Sequence, residues 1–367
     1  MSLDEEIKRA RKTVVTDGYD MSIGEVVNLY KNEELVIDPV FQRLFRWDDE
    51  RKTRFIESLI LGIPVPPIFV YQSEDGVWEL VDGLQRISTV LQLTGDLRGD
   101  RSEELGPLVL NGTRFLPSLN GRRWEPSDEG AEDGLGRALQ LEIKRARLRV
   151  EILKSDSDDT AKFELFQRLN TGGAGLTEQE VRNSMAVSLN RDFYDWLISR
   201  SEDQDFKTCT NQTERALESQ IGVELALRFF AFRGIPYQPG LDVHEYLDGA
   251  LLQMATGNAF DYESEESAFN RTFQFLADAL GSDAFKRWNG NSFTGKFLMS
   301  VFEVTTKGVS ENIDAIEGLG DQRNAFIVAK CKALWDNEVF AQNSGGGVRG
   351  TTRLSRLLPM AVNFFAP

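Results

Sequence analysis

The residues with the clearest chemical potential are Asp82-Gly83-Leu84-Gln85-Arg86, which follow a strand-like run and open a helix-like run. A glycine turn between a strand and a helix directs free backbone N–H groups and the positive end of the helix dipole at one point, where an anion can bind. Arg86 adds a guanidinium that can grip phosphate oxygens, and the hydroxyls of Ser88 and Thr89 follow closely. The same spacing is equally typical of a surface turn in which Asp82 caps the helix and pairs with Arg86.

A second cluster, Phe41-Gln42-Arg43-Leu44-Phe45-Arg46-Trp47, precedes the first predicted helix. Arginines and a glutamine between aromatic residues can bind phosphate or stack on a base. Phe45 and Trp47 are also typical of core anchors flanked by solvated arginines. Arg43 is therefore the residue of this cluster that we expect to contact a ligand.

A third cluster places Glu164, Gln167 and Arg168 at positions i, i+3 and i+4 of a predicted helix, with Asn170 at its end. Side chains at this spacing share one helix face and could present an acid, an arginine and an amide to a triphosphate and its metal. We expect this face and the turn at Asp82 to Arg86 to line one cleft. The alternative is a connector between helices with an exposed pair of Glu164 and Arg168.

The elements that must position these residues change in kind along the chain. Ile68 to Tyr71 and Val77 to Val81 form a predicted hairpin, Asp49 to Leu61 a helix and Arg147 to Leu153 a strand. Leu108 to Phe115 predicts a second hairpin through Asn111-Gly112. Helical periods dominate later, over Thr160 to Leu169, Glu178 to Asn190, Glu214 to Phe232, Glu245 to Met254, Ser267 to Leu280 and Gln322 to Trp335. The pattern predicts an α/β domain over residues 1–158 and an all-α domain over residues 159–367.

Composition excludes several classes of protein. The chain has 367 residues, with 42 basic and 58 acidic side chains and a net charge of −16, so any nucleic acid must meet a local basic patch or a second subunit. His244 is the only histidine, which excludes nucleases and hydrolases that depend on histidine pairs or a histidine base. Two cysteines, no signal-like start and no apolar run of membrane length predict a cytoplasmic protein that does not contact a membrane.

Taken together, these blocks resemble the N-terminal domain family of GmrSD-type modification-dependent restriction systems, whose hallmark is an Asp-Gly-Gln-Gln-Arg motif. The resemblance covers Ser22 to about Asn183 and includes Gln42-Arg43, Leu61-Gly62-Ile63-Pro64-Val65-Pro66, Asp82 to Arg86, Gln167 to Gly173 and Gln179 to Asn183. Leu84 departs from the motif, which has glutamine there. The resemblance implies a ParB/sulfiredoxin-like fold for the α/β domain, in which such a loop holds nucleotide phosphates.

The resemblance also implies roles for individual residues. Asp82, Gln85, Arg86 and Glu164 would be catalytic, and Glu164 would hold Mg²⁺, although Leu165 stands where ParB proteins have their metal-side asparagine. The nucleoside triphosphate would contact a larger set, namely Arg43, Gly83, Leu84, Gln85, Arg86, Ser88, Thr89, Gln167, Arg168 and Asn170. Since the histidine nuclease of many family members has no counterpart in this sequence, the chain resembles the stand-alone S-type subunit.

That subunit would be an NTP-binding and NTP-hydrolysing sensor in phage defence, acting on DNA, including modified phage DNA, through a separate nuclease subunit. A second hypothesis is a ParB-like DNA-binding or adaptor protein in which the nucleotide only switches conformation. A third is a nuclease that uses Asp75, Glu79 and Asp82, for which the sequence shows no carboxylate cluster with metal-ligand spacing.

Overall fold

The computed structural model describes residues 16–37, 45–154, 178–213, 216, 220–257 and 260–367. The chain divides into two compact units, Met1–Leu176 and Thr177–Pro367. The predicted domain boundary after residue 158 falls in the segment 155–177, outside the described residues, and so remains a prediction.

The first unit is built on a five-stranded mixed sheet. Its strands are β1 (Thr16–Ser22), β2 (Leu35–Val36), β3 (Ile68–Gln72), β4 (Trp78–Asp82) and β5 (Arg147–Leu153), in the order β1-β5-β3-β4-β2. Strands β3 and β4 pair antiparallel, whereas β3 and β5 pair parallel. The predicted hairpin and the predicted strand at Arg147 to Leu153 are both confirmed.

Five helices accompany this sheet among the described residues: α1 (Ile23–Lys31), α2 (Asp49–Ile60), α3 (Leu84–Thr94), α4 (Asp100–Leu105) and α5 (Gly136–Arg145). Alternate strand residues such as Val70 and Val150 are fully buried, as are Ile56 and Leu91 on the helices. The predicted helix at Asp49 to Leu61 is confirmed, and Asp48 caps it by accepting a hydrogen bond from the Arg51 amide at 2.8 Å.

The second predicted hairpin, Leu108 to Phe115, is wrong. Leu110 exchanges backbone hydrogen bonds of 2.8 Å with Gly121 and Arg122 instead of pairing with residues after Asn111. Gly112 does not adopt a positive φ, which a type I′ turn requires. The amide of Asn111 instead donates to the Thr53 hydroxyl on α2 at 3.1 Å, so a tertiary contact replaces the local turn.

The second unit is helical apart from one small hairpin among its described residues. Its elements are α6 (Glu178–Leu189), α7 (Arg191–Ser201), α8 (Gln204–Thr210), α9 (Ile221–Gly234), α10 (Val243–Thr256), α11 (Tyr262–Leu280), β6 (Arg287–Trp288), β7 (Phe293–Thr294), α12 (Met299–Glu311), α13 (Ile313–Glu317), α14 (Arg323–Ala333), α15 (Glu338–Asn343) and α16 (Gly350–Phe364). Phenylalanines fill its core, with Phe193, Phe269 and Phe302 all fully buried. Large aromatic side chains bury much apolar surface and pack edge to face, which stabilises such helical assemblies.

The predicted fold class, an α/β region followed by a helical region, is confirmed. Predicted helices in the described part of the second unit coincide with α6, α9, α10, α11 and α14, with α9 starting only at Ile221. The predicted helix at Thr160 to Leu169 lies outside the described residues. Within the described ranges, no helix combines the length and apolarity needed to cross a membrane.

Candidate functional site

Glycine at position 83 determines the geometry of the turn that carries Asp82 and Arg86. Strand β4 ends at Asp82, Gly83 adopts φ 104°, and helix α3 begins at Leu84 with the carbonyl of Gly83 accepting from the Ile87 amide at 3.0 Å. A Cβ at Gly83 would lie 2.4 Å from Cγ2 of Ile68 on β3. Both the positive φ and this close approach require glycine here, so the strand can turn directly into the helix.

Arg86 folds back over this turn. Its Nη2 donates to Oδ2 of Asp82 at 2.9 Å and to the carbonyl of Pro67 at 3.0 Å. The side chains are partly accessible, at 15% for Arg86 and 29% for Asp82. No hydrogen bond to a described residue occupies Nη1 of Arg86 or Oδ1 of Asp82, and Nε is buried without an acceptor. The turn therefore holds an ordered guanidinium and an ordered carboxylate that both retain bonding capacity.

Gln85 connects the turn to the segment that precedes α2. Its Oε1 accepts from the backbone amides of Arg46 and Trp47, each at 3.0 Å. Phe45 is buried beneath the Lys52 ammonium, so the core-anchor interpretation is confirmed for this residue, whereas Trp47 is half-buried and meets Phe55 edge to face. In this arrangement Gln85 positions the chain at Arg46 and Trp47, and its predicted catalytic role remains a prediction.

The other predicted ligands on α3 lie behind the turn. Leu84, Ser88 and Thr89 are buried, and the Thr89 hydroxyl donates to the Gln85 carbonyl at 2.6 Å within the helix. Oγ of Ser88 is buried with no hydrogen-bond partner. At the turn itself, the side chains of Asp82, Gln85 and Arg86 are partly accessible, and Oε1 of Gln85 is already bonded to the amides of Arg46 and Trp47.

Five predicted site residues fall outside the described residues: Arg43, Glu164, Gln167, Arg168 and Asn170. Their shared cleft with the turn remains a prediction. Among the residues the structure does describe, no three histidine, cysteine or acidic side chains group as metal ligands, and this includes Asp75, Glu79 and Asp82. The carboxylate of Asp75 is instead bound within its own turn, where the hydroxyl of Ser73 and the amide of Val77 lower its pKa.

The block Gln179 to Asn183 enters a buried polar network in the second unit, which sequence reasoning missed. Arg182 is 1% exposed, and its Nη1 donates to Asp248 at 3.0 Å while its Nε donates to Gln179 at 2.9 Å. Burial raises the pKa of Asp248 and outweighs the opposing effect of Arg182. Glu224 lies 3.5 Å from Arg182, and the guanidiniums of Arg228 and Arg182 lower its pKa against the effect of burial.

The network continues through Glu303, which is fully buried. Its Oε1 accepts from Arg228 at 3.1 Å and from Arg353 at 2.9 Å, and its Oε2 accepts from Arg353 at 2.7 Å. The i, i+3 and i+4 spacing of Gln179, Arg182 and Asn183 was the available sequence signal, because it places three polar side chains on one helix face. These contacts join α6, α9, α10, α12 and α16, so the block at Gln179 to Asn183 has a structural role.

Comparison with known proteins agrees with the sequence motifs. Residues 23–187 match the family model described as the GmrSD restriction endonuclease N-terminal domain. A search of curated proteins found no significant match to the chain. The matched range includes the Asp82 to Arg86 turn and ends within α6. Residues 23–187 of this chain therefore match the GmrSD restriction endonuclease N-terminal domain family, and this match suggests a component of a restriction system.

Proposed function

We propose that the protein is the nucleotide-binding and nucleotide-hydrolysing regulatory subunit of a modification-dependent restriction system, with the Asp82 to Arg86 turn as the phosphate site. The observation that carries this is the positive-φ glycine that opens α3 beside Arg86. The surface-turn alternative also predicts the 2.9 Å pairing of Arg86 with Asp82, but that pairing leaves Nη1 of Arg86 without a hydrogen bond to a described residue. Guanidinium groups bind phosphate oxygens through charge-assisted hydrogen bonds, and a helix N-terminus favours the same ligand.

The carboxylate of Asp82 sets a condition on the ligand. Since Asp82 already neutralises Arg86, a triphosphate placed against this pair would meet a nearby negative charge. A divalent cation removes that repulsion, and Mg²⁺ in phosphate sites is commonly held by one or two carboxylates together with the substrate phosphates. Asp82 would hold Mg²⁺ through Oδ1, which has no hydrogen bond to a described residue, and the cation would offset the phosphate charge. Binding should therefore depend on Mg²⁺.

The direct test titrates the purified full chain with ATP and GTP, with and without Mg²⁺, by calorimetry, and then measures release of inorganic phosphate. Binding that requires Mg²⁺, followed by phosphate release, supports the proposal. Binding without release supports the non-hydrolysing alternative, a nucleotide-gated DNA-binding or adaptor protein of the ParB-like type. No binding of any triphosphate at millimolar concentration would contradict both.

The partner is the other half of the proposal. The only histidine of this sequence, His244, lies on α10, and the proposal places the nuclease that cuts DNA, including modified phage DNA, in a separate subunit. The purified chain should leave DNA intact and should restore cleavage when mixed with its cognate nuclease. Metal-dependent cleavage by the chain alone, abolished by Asp82→Asn, would show that the chemistry lies in this subunit.

A further inference from the structure

A basic surface in the second unit contrasts with the acidic chain as a whole. The net charge of the chain is −16, yet no acidic residue lies between Asp283 and Glu303, where Lys286, Arg287 and Lys296 occur. The interval between Asp321 and Asp336 likewise contains only basic charges, including Lys332. Hairpin β6–β7 lies in the first interval and α14 in the second.

Side-chain contacts join the hairpin to the end of α14. The ammonium of Lys332 lies 4.5 Å from the centroid of the Trp288 ring, and the guanidinium of Arg287 lies 5.5 Å from that of Trp335. Trp288 packs on its cross-strand partner Phe293 with ring centroids 5.0 Å apart. We call this surface the hairpin patch: Arg287, Trp288, Phe293, Lys296 and Lys332.

The cations of the hairpin patch are not neutralised by the chain itself. Arg287 and Lys296 are exposed and Lys332 is half-buried, and within the described residues no carboxylate forms an ion pair with any of the three. By contrast, the neighbouring Lys286 and Arg323 pair with Asp283 and Asp278. Unpaired cations held against aromatic rings keep their charge available to an external anion.

The tip of the hairpin adds ordered polar groups beside these cations. Oδ1 of Asn289 accepts from the amides of Asn291 and Ser292, both at 2.9 Å, and Gly290 between them adopts φ 94°. The tip is exposed and carries small amide and hydroxyl side chains with no bulky apolar group. A protein interface usually has a buried apolar anchor at its centre, whereas a phosphodiester backbone is met by cations, amides and half-exposed aromatic rings.

We propose that the hairpin patch binds the phosphodiester backbone of nucleic acid, with Arg287, Lys296 and Lys332 on phosphates and the half-buried Trp288 ring against a base or sugar. The patch would give an otherwise acidic protein a local attachment point, since charge at the site governs contact with a polyanion. The choice of DNA over RNA rests on the proposed function, but the surface itself does not depend on the nucleotide turn.

The test measures fluorescence anisotropy of labelled single-stranded and duplex DNA, with RNA as a third arm, against the full chain at several salt concentrations. Replacing Arg287 and Lys332 by Gln together should weaken binding at least about tenfold at low salt. The same pair should reduce the slope of log affinity against log salt by about 1.4 for single strands or about 1.8 for duplex. Arg191→Gln is the matched control, because that arginine lies on α7 of the same unit and pairs with Asp195 at 3.1 Å.

Trp288→Phe separates stacking from charge, since it retains an aromatic ring for Phe293 and Lys332 to contact. The substitution should weaken the binding of single-stranded DNA more than that of duplex DNA, and the melting temperature of the variant should match that of the parent chain.

Three results would overturn the proposal: unchanged DNA binding in the double variant, an equal loss of DNA binding in Arg191→Gln, or polyglutamate binding to the patch as tightly as DNA. The last result would identify an acidic protein as the partner. Nucleotide titration of the double variant should be unchanged, so failure here is distinguishable from failure of the proposed function.

Discussion

The protein uses arginine–carboxylate pairs in two regions with different consequences. At the turn before α3, Arg86 and Asp82 are 15% and 29% exposed and each retains bonding capacity. In the helical unit, Arg228 and Glu303 are 6% and 0% exposed, and both oxygens of Glu303 are committed to arginines. The same functional groups therefore provide a candidate ligand site in one region and a structural connection in the other.

Solvation explains the difference. Charges removed from water must be paired, because the desolvation cost of an unpaired buried ion amounts to several kcal/mol. A ligand that displaced one partner in such a network would leave the other charge buried and unpaired, at that desolvation cost. The pair at the turn keeps contact with water, so Arg86 could take a phosphate oxygen through Nη1 while its Nη2 stays with Asp82. The Arg86–Asp82 pair therefore differs from the Arg228–Glu303 pair in having solvent-accessible atoms that can still form hydrogen bonds, and not in its charge.

The largest expected effect follows from breaking the buried network. Glu303→Ala leaves Arg228 and Arg353 without their shared carboxylate and should lower the free energy of unfolding by about 3–5 kcal/mol. Hydrogen exchange of the peptide that contains α12 measures this locally. Glu50→Ala is the control, since Glu50 pairs with Arg54 on exposed positions of α2, and a change within about 0.5 kcal/mol is expected. Similar losses in both variants would remove the contrast between the two kinds of pair.

The next effect concerns the backbone that holds the turn. Gly83→Ala should destabilise the first unit by at least about 2 kcal/mol, since alanine must adopt φ 104° and its Cβ would lie 2.4 Å from Ile68. Gly76→Ala provides the comparison, because Gly76 has φ 87° with no atom within 4 Å of an added Cβ. It should cost about 1–2 kcal/mol from conformation alone. Equal losses in urea denaturation would show that contact with Ile68 does not constrain the turn.

The ligand side of the comparison is tested at Arg86. Arg86→Ala should weaken triphosphate binding by about 1.5–3 kcal/mol, the range for hydrogen bonds to charged groups. Folding should change little, because Asp82 remains partly accessible to water after the arginine is removed. Arg54→Ala serves as a matched control on α2. Calorimetry showing unchanged triphosphate affinity in Arg86→Ala would remove the turn as the phosphate site.

Local chemistry made the turn predictable from the sequence. A strand, a glycine and a helix start occupy adjacent positions, so residues 78–94 predict the turn that carries Asp82 and Arg86, although Pro67, which also binds Arg86, lies outside them. The pattern at Asn111-Gly112 failed because its amides donate to side chains outside the turn, to Thr53 on α2, 58 positions away, and to Asn120, 8 positions away. A turn motif predicts a hairpin only when no tertiary partner competes for its backbone groups.

The buried network was unpredictable for a related reason. Arg182 meets Asp248 across 66 positions of sequence, and Arg228 meets Glu303 across 75. Nothing in the local pattern of either arginine distinguishes a buried ion pair from a solvated helix face, since both show the same helical spacing. The hydrogen bonds from the backbone amides of Arg46 and Trp47 to Gln85 could not be predicted either, because backbone groups leave no residue-type signal in the sequence.

The smallest expected effect is a pH dependence with opposite signs at two members of the network. Burial raises the pKa of Asp248 above 3.8, so the folded state binds that proton more tightly than the unfolded state does. Its contribution therefore favours folding at low pH and is lost as the pH rises from about 3.8 through the raised pKa.

The arginines lower the pKa of Glu224 below 4.5, so its contribution is present above about 4.5 and is lost as the pH falls through the lowered pKa. In urea denaturation between about pH 3 and pH 7, Asp248→Asn should gain stability relative to the parent chain as the pH rises, because the parent loses the contribution of its protonated Asp248. As the pH rises through the lower part of the same range, Glu224→Gln should lose stability relative to the parent chain. If the stability of both variants relative to the parent chain changed with pH in the same direction, the pKa values of Asp248 and Glu224 would not be shifted in opposite directions as the geometry indicates.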